Sequence, residues 1–235
     1  MASPANIMPF EIMGAAHLGA VGVTAATALV LVYHARRYPS RTGPPRAFLA
    51  VLLLILYPAH LVVNYASGNL NRENAFPCHF CDVAAIIGAI ALLTRRQRLA
   101  ELVWFWGLAG TLNGLLTPAL SDTFPSPRYF AFFALHGGVV IAAVYLVAGL
   151  RLRPEPGAVW RAFGWGQVYL VAAALVDLIS GANYGFLRAK PPQASLLDLM
   201  GPWPWYILAL DALGIVLFLL LYLPFLGRSA PVRTE

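Results

Sequence analysis

The sequence predicts an all-α fold: a seven-helix transmembrane bundle forming a single integral membrane domain over residues 1–235. Three observations carry this. The chain is 60% hydrophobic and only 11% charged, with a mean hydropathy of +0.70, whereas a soluble domain carries roughly 25% charged residues. Its apolar residues gather into runs close to the roughly 20 residues that cross a bilayer. The connections between those runs alternate between arginine-rich and arginine-poor. The net charge of +6 therefore reads as a topology signal and not as a nucleic-acid stripe, and no nucleic-acid partner is expected.

The spans expected in chain order are about 12–35, 46–66, 78–94, 99–119, 128–150, 158–183 and 204–226, the third being the shortest. Proline and glycine punctuate the connections, as in "YPSRTGPPR", "FPSPR", "RPEPG" and "KPPQ", because neither residue continues a helix well. The opening "MASPANIMPFEIMG" lacks a basic n-region, so a cleaved signal peptide is not expected. One set of alternate loops holds Arg36, Arg37, Arg41, Arg46, Arg95, Arg96, Arg98, Arg151, Arg153, Arg161, Arg228 and Arg233; the other holds Arg72, Arg128, Arg188 and Lys190. The positive-inside rule puts the first set in the cytoplasm, the N-terminus outside and the C-terminus inside. The expected location is a bacterial inner (cytoplasmic) membrane, crossed several times.

With helix directions fixed, polar residues can be placed in depth by the helical rise of roughly 1.5 Å per residue. His17, His60, Asn64, His79, Cys81, Asp82, Asn113, His136, Asp177, Asn183 and Asp211 fall mostly in the outer half. The inner halves read as apolar runs such as "IIGAIALL" and "VVIAAVYLVAGL". Ionisable groups in hydrocarbon are costly and normally face a bundle interior. A polar cavity opening toward the outer face is the expectation; the plainer reading is that these groups only bond one another.

The stretch "FPCHFCD" (76–82) holds both cysteines of the chain. Cys78 follows Pro77 at a helix start, where free amides and the helix dipole favour a thiolate, and His79 or another histidine could take its proton. Cys78 and Cys81 also form a C-x-x-C pair suited to dithiol exchange. Inert packing of a small thiol is a further reading. Two cysteines with scattered histidines make no recognisable zinc spacing, so neither a metal nor another cofactor is expected. His136 in "FFALHGG" is a bundle hydrogen-bonder or a general base, and its glycines permit close helix approach. Asp82, Asp177 and Asp211 suit partners of a histidine or arginine. The segment "NYGFLRAKPPQASLLDLMGPWPWY" (183–206) reads as an interfacial loop or as a lid in which Arg188 and Lys190 meet an anionic head group.

That segment, with "WFWGLAGTLNGLLTPAL" and "YFAFFALHGGVVIAAVYL", resembles the YwaF-like bacterial integral membrane proteins, which group with eukaryotic transmembrane protein 164. The latter is described as a cysteine-dependent acyltransferase moving fatty acyl chains between phospholipids. More distantly the family is similar to androgen-induced membrane hydrolases, which use threonine and histidine. The resemblance implies Cys78, within Pro77-Cys78-His79, as nucleophile and His136 as base, with a phospholipid or lysophospholipid as substrate. Many bacterial relatives carry an apolar residue at the first cysteine position and keep the second, which makes Cys81 the alternative thiol. His60, Asn64, Asp82, Asn113, Asp177, Asn183, Arg188, Lys190 and Asp211 are the candidate substrate-binding residues. A non-catalytic transporter or receptor for a small polar or lipid ligand, and a membrane dithiol oxidoreductase, are the alternatives. Nothing in the sequence fixes the oligomeric state.

Overall fold

The computed structural model describes residues 10–118, 120, 122–192 and 195–227, and among them there is no β-strand. Seven helices account for most of the chain: α1 (Ala15–Arg37), α2 (Gly43–Ala66), α3 (Phe80–Thr94), α4 (Gln97–Leu116), α5 (Pro127–Gly149), α6 (Ala158–Ser180) and α7 (Trp205–Tyr222). Six of them, all but α3, are long and apolar enough to cross a membrane. The protein is thus a multi-pass, all-helical bundle.

α3 departs most from the expected bounds. His79 takes extended backbone (φ −68°, ψ 149°) and the helix begins at Phe80, giving 15 residues. At the helical rise it is about 22 Å long, roughly 8 Å short of a bilayer core. Its other end closes at Arg95, two residues before α4 begins. The Cys78 end is where it stops short: Phe80 lies beside Gly110 of α4 and Tyr169 of α6, both well before the ends of those helices at Leu116 and Ser180.

α3, α4 and α5 form the centre, and α1, α6 and α7 present long apolar side chains outward, among them Val23, Leu29, Leu178, Ile179 and Leu220. Small residues let the central helices approach. Ala84, Ala85, Gly88 and Ala89 of α3 are buried, and a Cβ at Gly107 of α4 would meet the Ala143 methyl of α5 at 3.1 Å. The glycines after His136 each admit a different neighbour: a Cβ at Gly137 would lie 2.5 Å from Thr24 Oγ1 of α1, and one at Gly138 would lie 2.9 Å from Leu53 of α2. Close approach of this kind drives helix association in lipid.

One buried ionisable group lies at the opposite end from Cys78. Glu101, in the first turns of α4 at the arginine-rich end, is 1% exposed. It accepts from Arg161 Nε at 3.1 Å and Nη2 at 2.8 Å, and from the Glu155 backbone N–H at 3.0 Å. A buried carboxylate is tolerated when charge and lone pairs are met together in this way. The two long central helices each contain a π-helical segment, Gly107–Thr111 in α4 and Tyr145–Gly149 in α5.

Candidate functional site

The recessed start of α3 is held by aromatic residues. Phe80 packs against Trp106 (ring centroids 4.8 Å apart) and Tyr169 (5.1 Å). Its ring also occupies the space beside Gly110, where a Cβ would come within 2.5 Å. The π-helical turn of α4 and its glycine thus form the socket for this ring, in keeping with π-turns marking functional regions. Just ahead of Phe80, the Tyr169 hydroxyl donates to the Cys78 carbonyl at 3.1 Å. Tyr184 is fully buried; its hydroxyl donates to the Arg72 carbonyl at 2.7 Å and accepts from the Phe76 N–H at 3.0 Å. Tyr184 therefore fastens the 67–79 connection, and with it Cys78, to the segment after α6.

Asp177 completes this fastening. Its Oδ1 accepts from the Tyr184 backbone N–H at 2.6 Å, while its buried Oδ2 has no hydrogen-bond partner. Cys78 lies within electrostatic reach of both Asp82 and Asp177, and Tyr57, whose buried hydroxyl is likewise without a partner, lies within reach of Cys78 and Asp82. Both cysteines are free thiols. Burial pushes the Cys78 thiol up from the ordinary thiol value, and the two carboxylates push it further. The thiolate expected from a helix start is therefore not the resting form, because Cys78 sits two residues ahead of the first helical turn.

Three histidines complete the cluster. His79 Nε2 donates to the Glu73 carbonyl at 3.0 Å, and the ring packs edge-on to Tyr184. Burial pushes its pKa down, so the ring is neutral at pH 7 with an open Nδ1 lone pair. His136 and His60 both lie within electrostatic reach of His79 and of each other. His136 Nδ1 donates to the Phe132 carbonyl at 2.8 Å, which fixes the tautomer and leaves Nε2 as an acceptor. That Nε2 lies over Gly114, where a Cβ would come within 2.9 Å of it. His60 Nε2 accepts from Asn64 Nδ2 at 2.7 Å. Asn113, half-buried, directly precedes Gly114. His17 stands apart: its Nδ1 accepts from the Met13 N–H and its Nε2 donates to the Leu115 carbonyl, both at 2.9 Å, so it joins α1 to the end of α4.

Residues 12–222, which take in all seven helices and this cluster, match the model of a known family. The chain belongs to the TMEM164 family. An uncharacterized protein of Treponema pallidum (strain Nichols) is 27% identical over 220 residues, covering 92% of this chain and 90% of the relative. No solved structure matches.

In this TMEM164-family chain the expected substrate-binding residues divide into two groups. His60, Asn64, Asp82 and Asp177 gather with the thiols. Asn113 borders them beside Gly114, and Asn183, Arg188, Lys190 and Asp211 have partners in the scaffold. Asn183 Oδ1 accepts from the Arg188 and Ala189 N–H groups, which folds the loop. Arg188 donates to the Ala182 carbonyl at 3.2 Å. The Lys190 ammonium sits 5.5 Å from the Tyr206 ring centre. Asp211 accepts from Gln167 Nε2 at 3.2 Å and ties α7 to α6. Tyr57, Tyr169 and Tyr184 were absent from the expected site; their signal is a tyrosine beside each polar cluster, at one helical turn from His60 in the case of Tyr57. Among the described residues no three His, Cys, Asp or Glu side chains are grouped to hold a metal ion.

An apolar groove of about 330 Å³ lies at the same end, lined by Leu61, Val62 and Tyr65 of α2 and by Leu70 and Ala75 of the connection that leads to Cys78.

Proposed function

We propose that this protein is a membrane-embedded acyltransferase or lipid-remodelling enzyme that uses Cys78 as nucleophile and a histidine, His136 or His79, as general base. The proposal includes seven crossings, with α3 as the short third, the N-terminus outside, the arginine-rich end in the cytoplasm of a bacterial inner membrane, and the site in the outer half. The observation that carries it is the placement of a half-buried free thiol beside His79, which lies within electrostatic reach of His60 and His136, at the start of α3. The adjoining apolar groove supports it, since a phospholipid would keep its chains in lipid while its ester reached the recess.

In the first half-reaction Cys78 gives its proton to imidazole, and Sγ attacks the ester carbonyl carbon of a donor phospholipid. The raised thiol pKa makes the base necessary. The Asp82 and Val83 amides both donate to the His79 carbonyl, so the oxyanion would fall to the Phe80 and Cys81 amides that precede them, with Asn113 as a further donor. Collapse breaks the C–O bond, and the imidazolium returns the proton to the departing lysophospholipid. In the second half-reaction a lysophospholipid hydroxyl, deprotonated by the same histidine, attacks the thioester. The new ester forms and the thiol leaves with the proton.

The test is acyl capture. Purified protein in nanodiscs, given phospholipid with a labelled acyl chain, should acquire a hydroxylamine-sensitive label that is lost in Cys78→Ala and kept in Cys81→Ala. Label lost only in Cys81→Ala moves the nucleophile to that thiol. No label above the double variant, together with a Cys78–Cys81 disulfide, favours the oxidoreductase; no label together with saturable binding of intact lipid or solute favours the transporter or receptor.

A further inference from the structure

We propose a second, separate site at the arginine-rich end: a phosphate-binding pocket formed by Arg36, Arg95 and Arg151. These side chains line a cavity of about 190 Å³ together with Pro39, Thr42 and Gly149. They come from three places: the last turn of α1, the residue that closes α3, and the residue two beyond α5.

Arginines at helix C-termini offset the dipole and bond the last carbonyls, and Arg36 Nε does this to the Ala148 carbonyl at 2.6 Å. Three observations go beyond it. First, no carboxylate lines the cavity, and among the described residues neither the Arg95 nor the Arg151 side chain has an ion-pair or hydrogen-bond partner. Elsewhere at the same end, Arg98 and Arg161 are matched by Glu101 and Glu155. The uncompensated charge is thus localised to the cavity, where Arg36 also lies within reach of Arg151 and Arg153.

Second, Arg95 and Arg151 have left-handed backbone, with φ of 55° and 63°. That conformation is disfavoured for any residue with a Cβ, and at the end of a helix it is normally taken by glycine or asparagine. Both positions hold arginine against the backbone preference. Third, the cavity wall is positive beyond its rim. Thr42 is the N-cap of α2, whose dipole adds positive character. Arg46, one turn along, has a buried Nε with no partner.

A phosphate group answers all three. It brings enough oxygens for several guanidinium groups, and basic pockets between helices at a membrane surface take anionic lipid head groups. The phosphate could belong to a lipid of the adjacent leaflet or be free in solution; the same chemistry serves both.

The full chain in neutral detergent should be titrated by calorimetry with short-chain phosphatidylglycerol, with inorganic phosphate, and with sodium chloride at matched ionic strength. Saturable binding of the lipid alone assigns a head group; binding of both assigns phosphate itself. The Arg95→Gly, Arg151→Gly double variant should weaken binding at least about tenfold. Because glycine suits both backbone positions, the same variant without ligand should melt about 2–4 °C higher, which shows that it folds. Arg98→Gln removes charge from the same end but outside the cavity and should leave binding unchanged. Binding lost equally in Arg98→Gln, or retained in the glycine double variant, or no saturable binding of either phosphate probe, overturns the proposal.

Discussion

The two ends of the bundle hold their polar groups in opposite ways. At the Cys78 end the groups are neutral or weakly ionising: tyrosines, histidines and thiols, with carboxylates bonded to backbone amides. Charge there is local, Arg128 pairing with Asp122 at 3.1 Å and Arg188 lying within reach of Asp177, and geometry is fixed by hydroxyl-to-carbonyl bonds from Tyr169 and Tyr184. At the arginine-rich end charge is accepted and divided. One quadrant is matched by Glu101 and Glu155, and the other surrounds the cavity of Arg36, Arg95 and Arg151. The difference teaches where each end is tolerant. A substitution at the Cys78 end should alter what the protein does before it alters whether it folds, and a substitution in the matched quadrant should do the reverse.

Replacing His136 by Asn should give the largest separation. If His136 is the general base, as proposed, its loss lowers turnover about 10²–10⁴-fold, while the melting temperature in detergent should stay within a few degrees; retained turnover would move the base to His79. Next, Arg161→Gln strands a buried carboxylate and should destabilise by about 3 kcal/mol, read as a lower melting temperature. Turnover per folded molecule should be unchanged, and a fall in it would break the division between the ends. Tyr184→Phe is smaller and tests the boundary. It removes two hydrogen bonds to the 67–79 connection and should cost about 1–3 kcal/mol, with greater protease sensitivity confined to that connection.

The smallest effect is on pH. Burial, Asp82 and Asp177 all raise the Cys78 thiol, so the folded thiol holds its proton to higher pH than the unfolded one. Alkylation in Cys81→Ala should therefore rise with pH through a midpoint above the ordinary thiol value, and above that of the denatured protein. A midpoint below the denatured value would contradict the burial.

Much of this contrast was legible in the sequence, because a polar residue in an apolar run is conspicuous. The helices fall within a few residues of the expected spans, and His60, His79 and His136 lie within electrostatic reach of one another. The glycines after His136 were readable as sites of close approach. What was not legible depended on partners far along the chain. Glu101 looks like an ordinary acid near a helix start until Arg161, 60 residues later, is seen to enclose it. Tyr57, Tyr169 and Tyr184 carry no charge and suit many membrane positions, so hydropathy passes over them. Asn183 and Asp211 read like site residues because sequence cannot separate a side chain that bonds the scaffold from one left for a ligand.

The brevity of α3 also bears on how the protein is made. Fifteen residues form a weak insertion signal by themselves, yet this helix carries the start of the site. Only Arg95 and Arg96 separate it from α4, so if α3 is a crossing, as proposed, the two would enter the bilayer most readily as a hairpin, with the longer helix supplying the hydrophobic drive. Lesions along α3 should then reduce the number of molecules that reach the membrane. Those that do arrive should be complete.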